Sequence, residues 1–396
     1  MQLDLDFVRA QFPALASGFV YLDNAGGSQT LAGVADRVRD YLLSTNVQIG
    51  ASYEISARAS ARVAAAADAA ARFMGAQPGE VVLGSSTTQL LHNLAFAMRD
   101  ELRAGDEVVI TSADHEANVG AWRRLASRGV IIKTWRIDPE TWRLEPRGLE
   151  PLLGPRTRLV AFTHATNLLG TLHDVAAITR LAHAYGARVC VDGVAYAPHR
   201  AIDVAAWDVD YYVFSFYKVY GPHIAALYGK RELLARLANV NHDFIFEAPY
   251  KLQPGGVNFE LTYGLEGVFA YMAALGAGAF ERIAAHEERL AARLLDYLSG
   301  KKNVRILGER LSDRARRVPT VSFTVQGCTP EQVVLAVDPR GVGIRHGDFY
   351  AKGLVQELGL ETRGGVVRVS AVHYNTVDEI DRAITALDHV IGRAIG

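Results

Sequence analysis

Cysteine is almost absent. The 396 residues hold two, Cys190 and Cys328. That excludes a disulfide framework and a cysteine-rich zinc site, and it fits a reducing cytoplasm. Charge of one sign is lacking too, because the formal net charge is -1. No strong field draws the chain to nucleic acid or to acidic membranes, and no basic stretch supports a nucleic-acid binder. No apolar run reaches the length that spans a bilayer. Met1-Gln-Leu-Asp-Leu-Asp6 has neither a basic n-region nor an apolar h-region, so no secretory signal is expected and the cytoplasm is the expected compartment. Metal-ligand spacing is missing as well. His286-Glu-Glu has no second His four residues on, and Asp114, His115 and Glu116 are consecutive, so they do not face one another on a helix.

Hydrophobic residues make up 49% and charged residues 21%, the ordinary balance of a soluble globular protein. The length suits two domains. Short apolar runs alternate with helical spacing. Val81-Val-Leu, Glu107 to Thr111, Arg158 to Thr163, Ala187 to Gly193 and Tyr211 to Phe214 read as buried strands. Ile55 to Met74 is Ala-rich and stops at Gly75, and Asp174 to Tyr185 reads as another helix. Strands alternating with helices imply right-handed crossovers and a mainly parallel sheet, an α/β fold. Further on, Thr320 to Val325, Val342 to Ile344 and Val366 to Ser370 read as strands of a small sheet. Thr376-Val-Asp-Glu379 is a capping box that starts the last helix. The expected organisation is an N-terminal segment, 1–19, packed on the small domain; a large domain, 20–275; and a small α+β domain, 276–396.

The chemistry concentrates after Tyr211. The strand ends at Ser215, and Lys218 follows before Tyr220-Gly-Pro breaks the chain. A lysine just past a buried strand sits at the carboxyl edge, where open α/β sheets bind ligands. Desolvation there frees its amine for a Schiff base. On Lys218 alone, a surface lysine after an edge strand is the better reading. The strand before it, however, ends in Asp192. Gly84-Ser-Ser-Thr-Thr88 opens a helix, and small hydroxyl residues at a helix start cap N–H groups that also bind phosphate. Cys190 reads as a small buried core residue.

The pair of strands, one ending in Asp and the next followed by Ser-x-x-Lys, resembles the pyridoxal-phosphate (PLP) site of the class V aminotransferase family, fold type I, and of its cysteine desulfurases in particular. Motifs in the family's order run from Val20-Tyr-Leu-Asp-Asn-Ala25 to Arg368-Val-Ser-Ala-Val-His-Tyr-Asn-Thr376. The resemblance implies a Schiff base on Lys218 and a carboxylate, Asp192, at the pyridine nitrogen. It implies His115 over the ring as a proton shuttle and Asn167 beside the ring. Ser85, Ser86 and Thr87 are assigned to the phosphate, with hydroxyls from Ser215 and Tyr217. The loop at Gly27 lines the substrate side. Gly256 reaches a neighbouring subunit's phosphate by its backbone, so a homodimer with shared sites is implied. Arg368 matches the family's grip on an α-carboxylate, with Arg345 as a weaker candidate.

The sequence also departs from the pattern. Ala195 stands where desulfurases carry a Gln that meets the ring hydroxyl, and Tyr217 replaces a His. A persulfide-forming desulfurase carries its Cys in the loop before Ala351, and here that residue is Tyr350, which is expected to shape the substrate pocket instead. Persulfide chemistry is therefore not expected. The resemblance points to a PLP enzyme acting on a small amino acid or a cysteine S-conjugate, with Cβ-elimination first. Transamination and epimerisation on the same fold are the alternatives. A non-catalytic, dimeric PLP-binding protein is the rival of another class.

Overall fold

The computed structural model describes residues 2–392. Its centre is a seven-stranded sheet in the order Val81–Gly84, Ala225–Gly229, Tyr211–Ser215, Arg188–Asp192, Thr157–Thr163, Glu107–Thr111 and Ile131–Trp135. The five strands from Tyr211–Ser215 to Ile131–Trp135 are parallel to one another. Ala225–Gly229 runs antiparallel to both of its own. The expected mainly parallel α/β sheet is what forms.

The apolar runs explain why both faces are covered. Side chains alternate at period two, so each strand feeds two cores. Val160, Phe162, Val189, Val191, Tyr212 and Phe214 enter one. Leu159, Ala161, Cys190, Tyr211 and Val213 enter the other. Helix Glu54–Phe73 buries Ala59, Val63, Ala66 and Ala70 at helical spacing and ends before Gly75, whose φ is +71°. Helix Phe259–Leu275 is capped by Asn258 and lies close against helix Ala32–Ser44. A Cβ at Gly267 would come within 2.6 Å of the Val34 nitrogen, so glycine sets that approach.

Helix Ala279–Ser299 follows at 84° to Phe259–Leu275 and carries the chain into the second domain. There an antiparallel sheet runs Arg345–Gly347, Val366–Ser370, Thr320–Val325, Val304–Leu307. Its core joins Val321, Phe323 and Val369 to Leu290, Leu294, Ile380 and Leu387 of the covering helices. The capping box at Thr376 and Glu379 is present.

Two boundaries differ from the sequence reading. Val20–Tyr21 pairs in parallel with Val342–Gly343, and Val20 and Leu22 are buried in the small-domain core. The expected start of the large domain at residue 20 therefore moves to the turn after Asp23. Val342–Gly343 is likewise in that two-stranded ladder, and Arg345–Gly347 is the strand that joins the small sheet. The N-terminal segment touches both domains. Arg9 bonds Glu379 and the Tyr374 carbonyl, while Val8 and Phe12 enter the large-domain core.

Candidate active site

Two adjacent strand ends make the floor of the site. Asp192 and Ser215 finish neighbouring parallel strands at the carboxyl edge of the sheet. One 3-10 turn, Phe216–Lys218, then places Lys218 in a pocket shared with Asp192, His115, Asn167 and Thr87. Lys218 is 7% exposed. Burial, helped by the nearby Arg368 charge, lowers its pKa from 10.5 to about 8, against the pull of Asp192 and Asp23. Its amine is thus far more available near neutral pH than that of an exposed lysine.

Asp192 faces the same pocket and is almost fully buried. Burial raises it to about 6; the Val194 N–H at 2.9 Å and the Lys218 charge act the other way. A carboxyl held this way favours a cationic partner. Gly193 follows because a Cβ there would lie 2.2 Å from the Tyr212 ring. Buried Asp114 is raised as well, by desolvation and then by the Asp192 charge.

The far end of the pocket is the start of helix Thr87–Met98. Ser86 is its N-cap and accepts from Gln89 N at 3.1 Å. Thr87 Oγ1 and Ser215 Oγ lie 2.7 Å apart, and Thr87 N donates to the same Ser215 oxygen at 3.3 Å. Free N–H groups and hydroxyls at a helix N-terminus suit a phosphate. Ser86, Thr87 and Thr88 line this end. Ser85 does not. It is exposed, and its N–H and hydroxyl both bond Gln89 Oε1, at 3.0 and 2.8 Å. It precedes the cap and lines a neighbouring pocket with Gln89, His223 and Gly256, while Thr88 lines this one.

His115 forms one wall as the N-cap of helix Glu116–Arg123. Its Nδ1 accepts from Ala117 N at 3.0 Å, so the proton of the neutral ring sits on Nε2. Burial, then the Lys218 and Arg368 charges, lowers its pKa to about 4, opposed by Asp348. The opposite wall holds Ala165, Val194, Ala195 and Tyr217. The Tyr217 ring stacks on His223 at 5.0 Å and lies 3.2 Å from where a Cβ of Gly27 would be.

Asn167 lines the pocket, and Arg368 packs behind it, near enough for its charge to act on Lys218 and His115. Asn167 Nδ2 donates to Phe349 O at 2.8 Å, and its buried Oδ1 has no partner. Arg368 is 2% exposed, with its guanidinium 3.7 Å above the Phe349 ring. It donates to Asp23 Oδ1 at 2.9 Å and to Asn167 O at 3.1 Å, and its Nε is left unpartnered. Phe349 and Tyr350 both adopt left-handed φ, 53° and 60°, and their loop lies against Asn167 and His115 of the pocket wall. Tyr350 is exposed, its ring 5.2 Å from His115, and its carbonyl accepts from Glu116 N. Arg345 lies outside, exposed and 3.7 Å from Asp23 Oδ2. Gly256 is not in the pocket of its own chain. It sits in an exposed turn with Gly255, beside Phe244, Phe246 and Tyr250.

The sequence model of the family described as aminotransferase class-V matches residues 20–383. The chain belongs to the class V aminotransferase family. It is 44% identical to the aminotransferase-like protein FGM3 of Gibberella zeae, over 98% of each chain. It is 33% identical to the cysteine desulfurase-like protein ustD of Aspergillus flavus, over 99% of this chain and 91% of that one. Among solved structures, the cysteine desulfurase CsdA of Escherichia coli superimposes with a TM-score of 0.87 at 28% identity, covering 100% and 99% of the two chains.

Class V aminotransferases are PLP-dependent, and the pocket fits that group. Lys218 offers the amine, Asp192 a carboxylate for the pyridine nitrogen, and the Thr87 helix start with Ser215 a cradle for the phosphate. The unpartnered Asn167 Oδ1 has room for a hydroxyl donor beside the ring. Asp23, the partner of Arg368, was not singled out in the sequence, where it reads as one more residue of a strand running into a turn. Thr88 and Thr163, also in the wall, could have been found: each sits one residue from, or at, an element end already placed at the carboxyl edge.

Proposed function

We propose that this class V enzyme acts on a free amino acid or a cysteine S-conjugate and performs Cβ-elimination, as a C–S lyase does. The observation that carries the substrate class is the Arg368 guanidinium. It is buried beside the Lys218 amine and keeps an unpartnered Nε–H. A buried donor without a partner is costly, and a substrate carboxylate would supply the acceptor that Nε–H lacks while Nη2 stays on Asp23 and Nη1 on Asn167 O.

Bound PLP supplies an electron sink for the charge that develops at the substrate Cα. Lys218 would hold the cofactor through its amine, and its neutral Nζ would take the Cα proton. Asp192 would hold the pyridine nitrogen protonated. Arg368 would hold the α-carboxylate and so orient the bonds at Cα. His115, neutral at pH 7, would offer its Nε2–H to a leaving group. The electron pair of the broken Cα–H bond forms the Cα–Cβ double bond, the sulfur departs as thiolate, and hydrolysis gives pyruvate and ammonia.

Sulfur leaving to solution, with no persulfide on the enzyme, is part of this proposal. Its support is that neither cysteine lines the pocket: Cys190 is buried inside its strand, and Cys328 packs on the small-domain core. The working form is proposed to be a cytoplasmic homodimer. Phe244 and Phe246, 77% and 74% exposed beside Gly256, support a partner surface there.

The test is the visible spectrum of the purified protein and of Lys218→Ala, with a panel of amino acids and S-substituted cysteines. A cofactor band lost in the variant, and pyruvate release with one S-conjugate, are expected. A shift to the pyridoxamine form without pyruvate would replace elimination by transamination.

A further inference from the structure

The turn that carries Asn167 belongs to the large domain by sequence and to the small domain by its hydrogen bonds. It joins strand Thr157–Thr163 to helix Val175–Ala184. Four consecutive carbonyls in it accept from small-domain donors. Arg368 Nη1 holds Asn167 O at 3.1 Å, and Ser322 Oγ holds Leu168 O at 2.5 Å. Arg317 Nη2 reaches Leu169 O at 3.5 Å, and Val318 N holds Gly170 O at 2.8 Å. The Asn167 side chain does the same in reverse by donating to Phe349 O. Gly170 marks the closest approach. Its φ is +73°, and a Cβ there would lie 2.5 Å from Thr320 O.

Ser322 and Arg368 are directly paired across two antiparallel strands. Paired positions place their side chains on one face of the sheet, so adjacent side chains meet adjacent carbonyls. Arg317 is a cation, 2% exposed, and among the described residues its side chain bonds carbonyls and no carboxylate. Its fork instead donates to the carbonyls of Glu309, Thr320 and Leu169. Burying a cation this way is costly. An arginine can join carbonyls of three segments in one plane, which a lysine or an apolar residue cannot. Neither Ser322 nor Arg317 lines the pocket.

We propose that Ser322 and Arg317 are positioning residues. They lock the Asn167 turn to the Arg368 strand, so that Asn167, Phe349 and Arg368 present one rigid wall to the substrate carboxylate. The proposal rests on Arg368 as the carboxylate grip. Lys218 and Asp192 stand on the large sheet and are outside the lock.

Ser322→Val and Ser322→Thr share a shape and differ by one hydroxyl; Ser322→Ala guards against overpacking. PLP-loaded protein is titrated with L-alanine and followed by its absorption band, PLP affinity is measured separately, and amide exchange is read on cofactor-free protein. Loss of the hydroxyl in the Val and Ala variants should weaken L-alanine binding about tenfold, the worth of one buried hydrogen bond. Thr should restore it, residues 166–172 should exchange faster in Val and Ala, and PLP affinity should fall by clearly less than L-alanine affinity, because Asn167 is one cofactor contact among several while Lys218 and Asp192 lie outside the lock. A lower melting temperature with unchanged L-alanine affinity would reduce the contact to packing and overturn the proposal. So would an equal loss of PLP affinity. If L-alanine leaves the wild-type band unmoved, the grip reading fails, and exchange alone decides. Faster exchange at 166–172 together with 345–351 upholds the lock; unchanged exchange removes it.

Discussion

Lys218→Met should make the cofactor-free protein more stable at pH 7. Burial and the Arg368 charge lower the Lys218 pKa from 10.5 to about 8 in the folded chain. Each pH unit of such a difference is worth about 1.4 kcal/mol, so holding the ammonium in the pocket costs about 3 kcal/mol at any pH below 8. Between about 8 and 10.5 the unfolded chain binds a proton that the folded chain has lost, so stability rises with pH across that window. Methionine keeps the length of the stem and removes the charge. It also removes an attraction that helps ionise Asp192, which then protonates more readily and returns part of the gain. The expected net gain is about 1–3 kcal/mol at pH 7, shrinking steadily from pH 8 upward. Urea unfolding of both cofactor-free proteins at pH 7, 8, 9 and 9.5 measures it. A variant less stable than wild type at pH 7, or a gain that stays constant to pH 9.5, would refute the electrostatic reasoning.

Three further outcomes follow from the same geometry. Replacing both cysteines, Cys190→Ala with Cys328→Ala, should leave steady-state pyruvate release within about twofold once corrected for folded protein, since neither is asked to carry sulfur; loss of turnover would restore a persulfide route. Arg368→Met should raise KM for the amino-acid substrate by roughly 30- to 1,000-fold, the cost of removing one partner of a buried charge pair, with a smaller change in kcat. The His115 ring, held neutral by burial and two nearby cations with a pKa of about 4, should show no titration between pH 5.5 and 8 by NMR of the cofactor-free protein; a midpoint near 6.5 would contradict the neutral tautomer.

Much of the large domain was legible because its signals are local. Buried parallel strands are continuous apolar runs, and Tyr211–Ser215 and Arg188–Asp192 announce themselves as such. Lys218 and Asp192 could be placed because each follows such a run by a fixed number of residues. Ser85 was misplaced for a local reason as well: hydroxyls at 85, 86, 87 and 88 look alike in sequence, and only the position of the N-cap decides which of them face the phosphate end. What sequence does not carry is pairing between distant segments. Val20–Tyr21 reads as the first strand of the large domain, but its partner is Val342–Gly343, some 320 residues away. Asp23 meets Arg368 only because that ladder continues to the bridge between Asp23 and Ser370. Arg317 gave no signal at all, since a buried arginine bonded to carbonyls has no spacing pattern.

The sheet order explains why the site can span a cofactor with a ring at one end and a phosphate at the other. Asp192 and Lys218 follow from adjacent parallel strands, so both reach the same end of the pocket at the carboxyl edge. The phosphate end follows from Val81–Gly84, which is separated from Tyr211–Ser215 by the antiparallel strand Ala225–Gly229. An antiparallel strand begins, rather than ends, at the carboxyl edge, so it sends no loop of its own over the pocket beyond His223 and Ile224. The gap of two spacings, roughly 10 Å, is left open and is bridged from its two sides by Thr87 and Ser215, whose hydroxyls meet at 2.7 Å. Thr87→Val breaks that bridge while keeping its volume. PLP affinity should then fall about tenfold, the worth of a hydrogen bond to a charged group, while the Lys218 pKa, set at the other end of the pocket, stays near 8. A shift in the lysine titration alongside the affinity loss would mean that the two ends are not independent, and fluorescence titration of PLP at several pH values separates these cases.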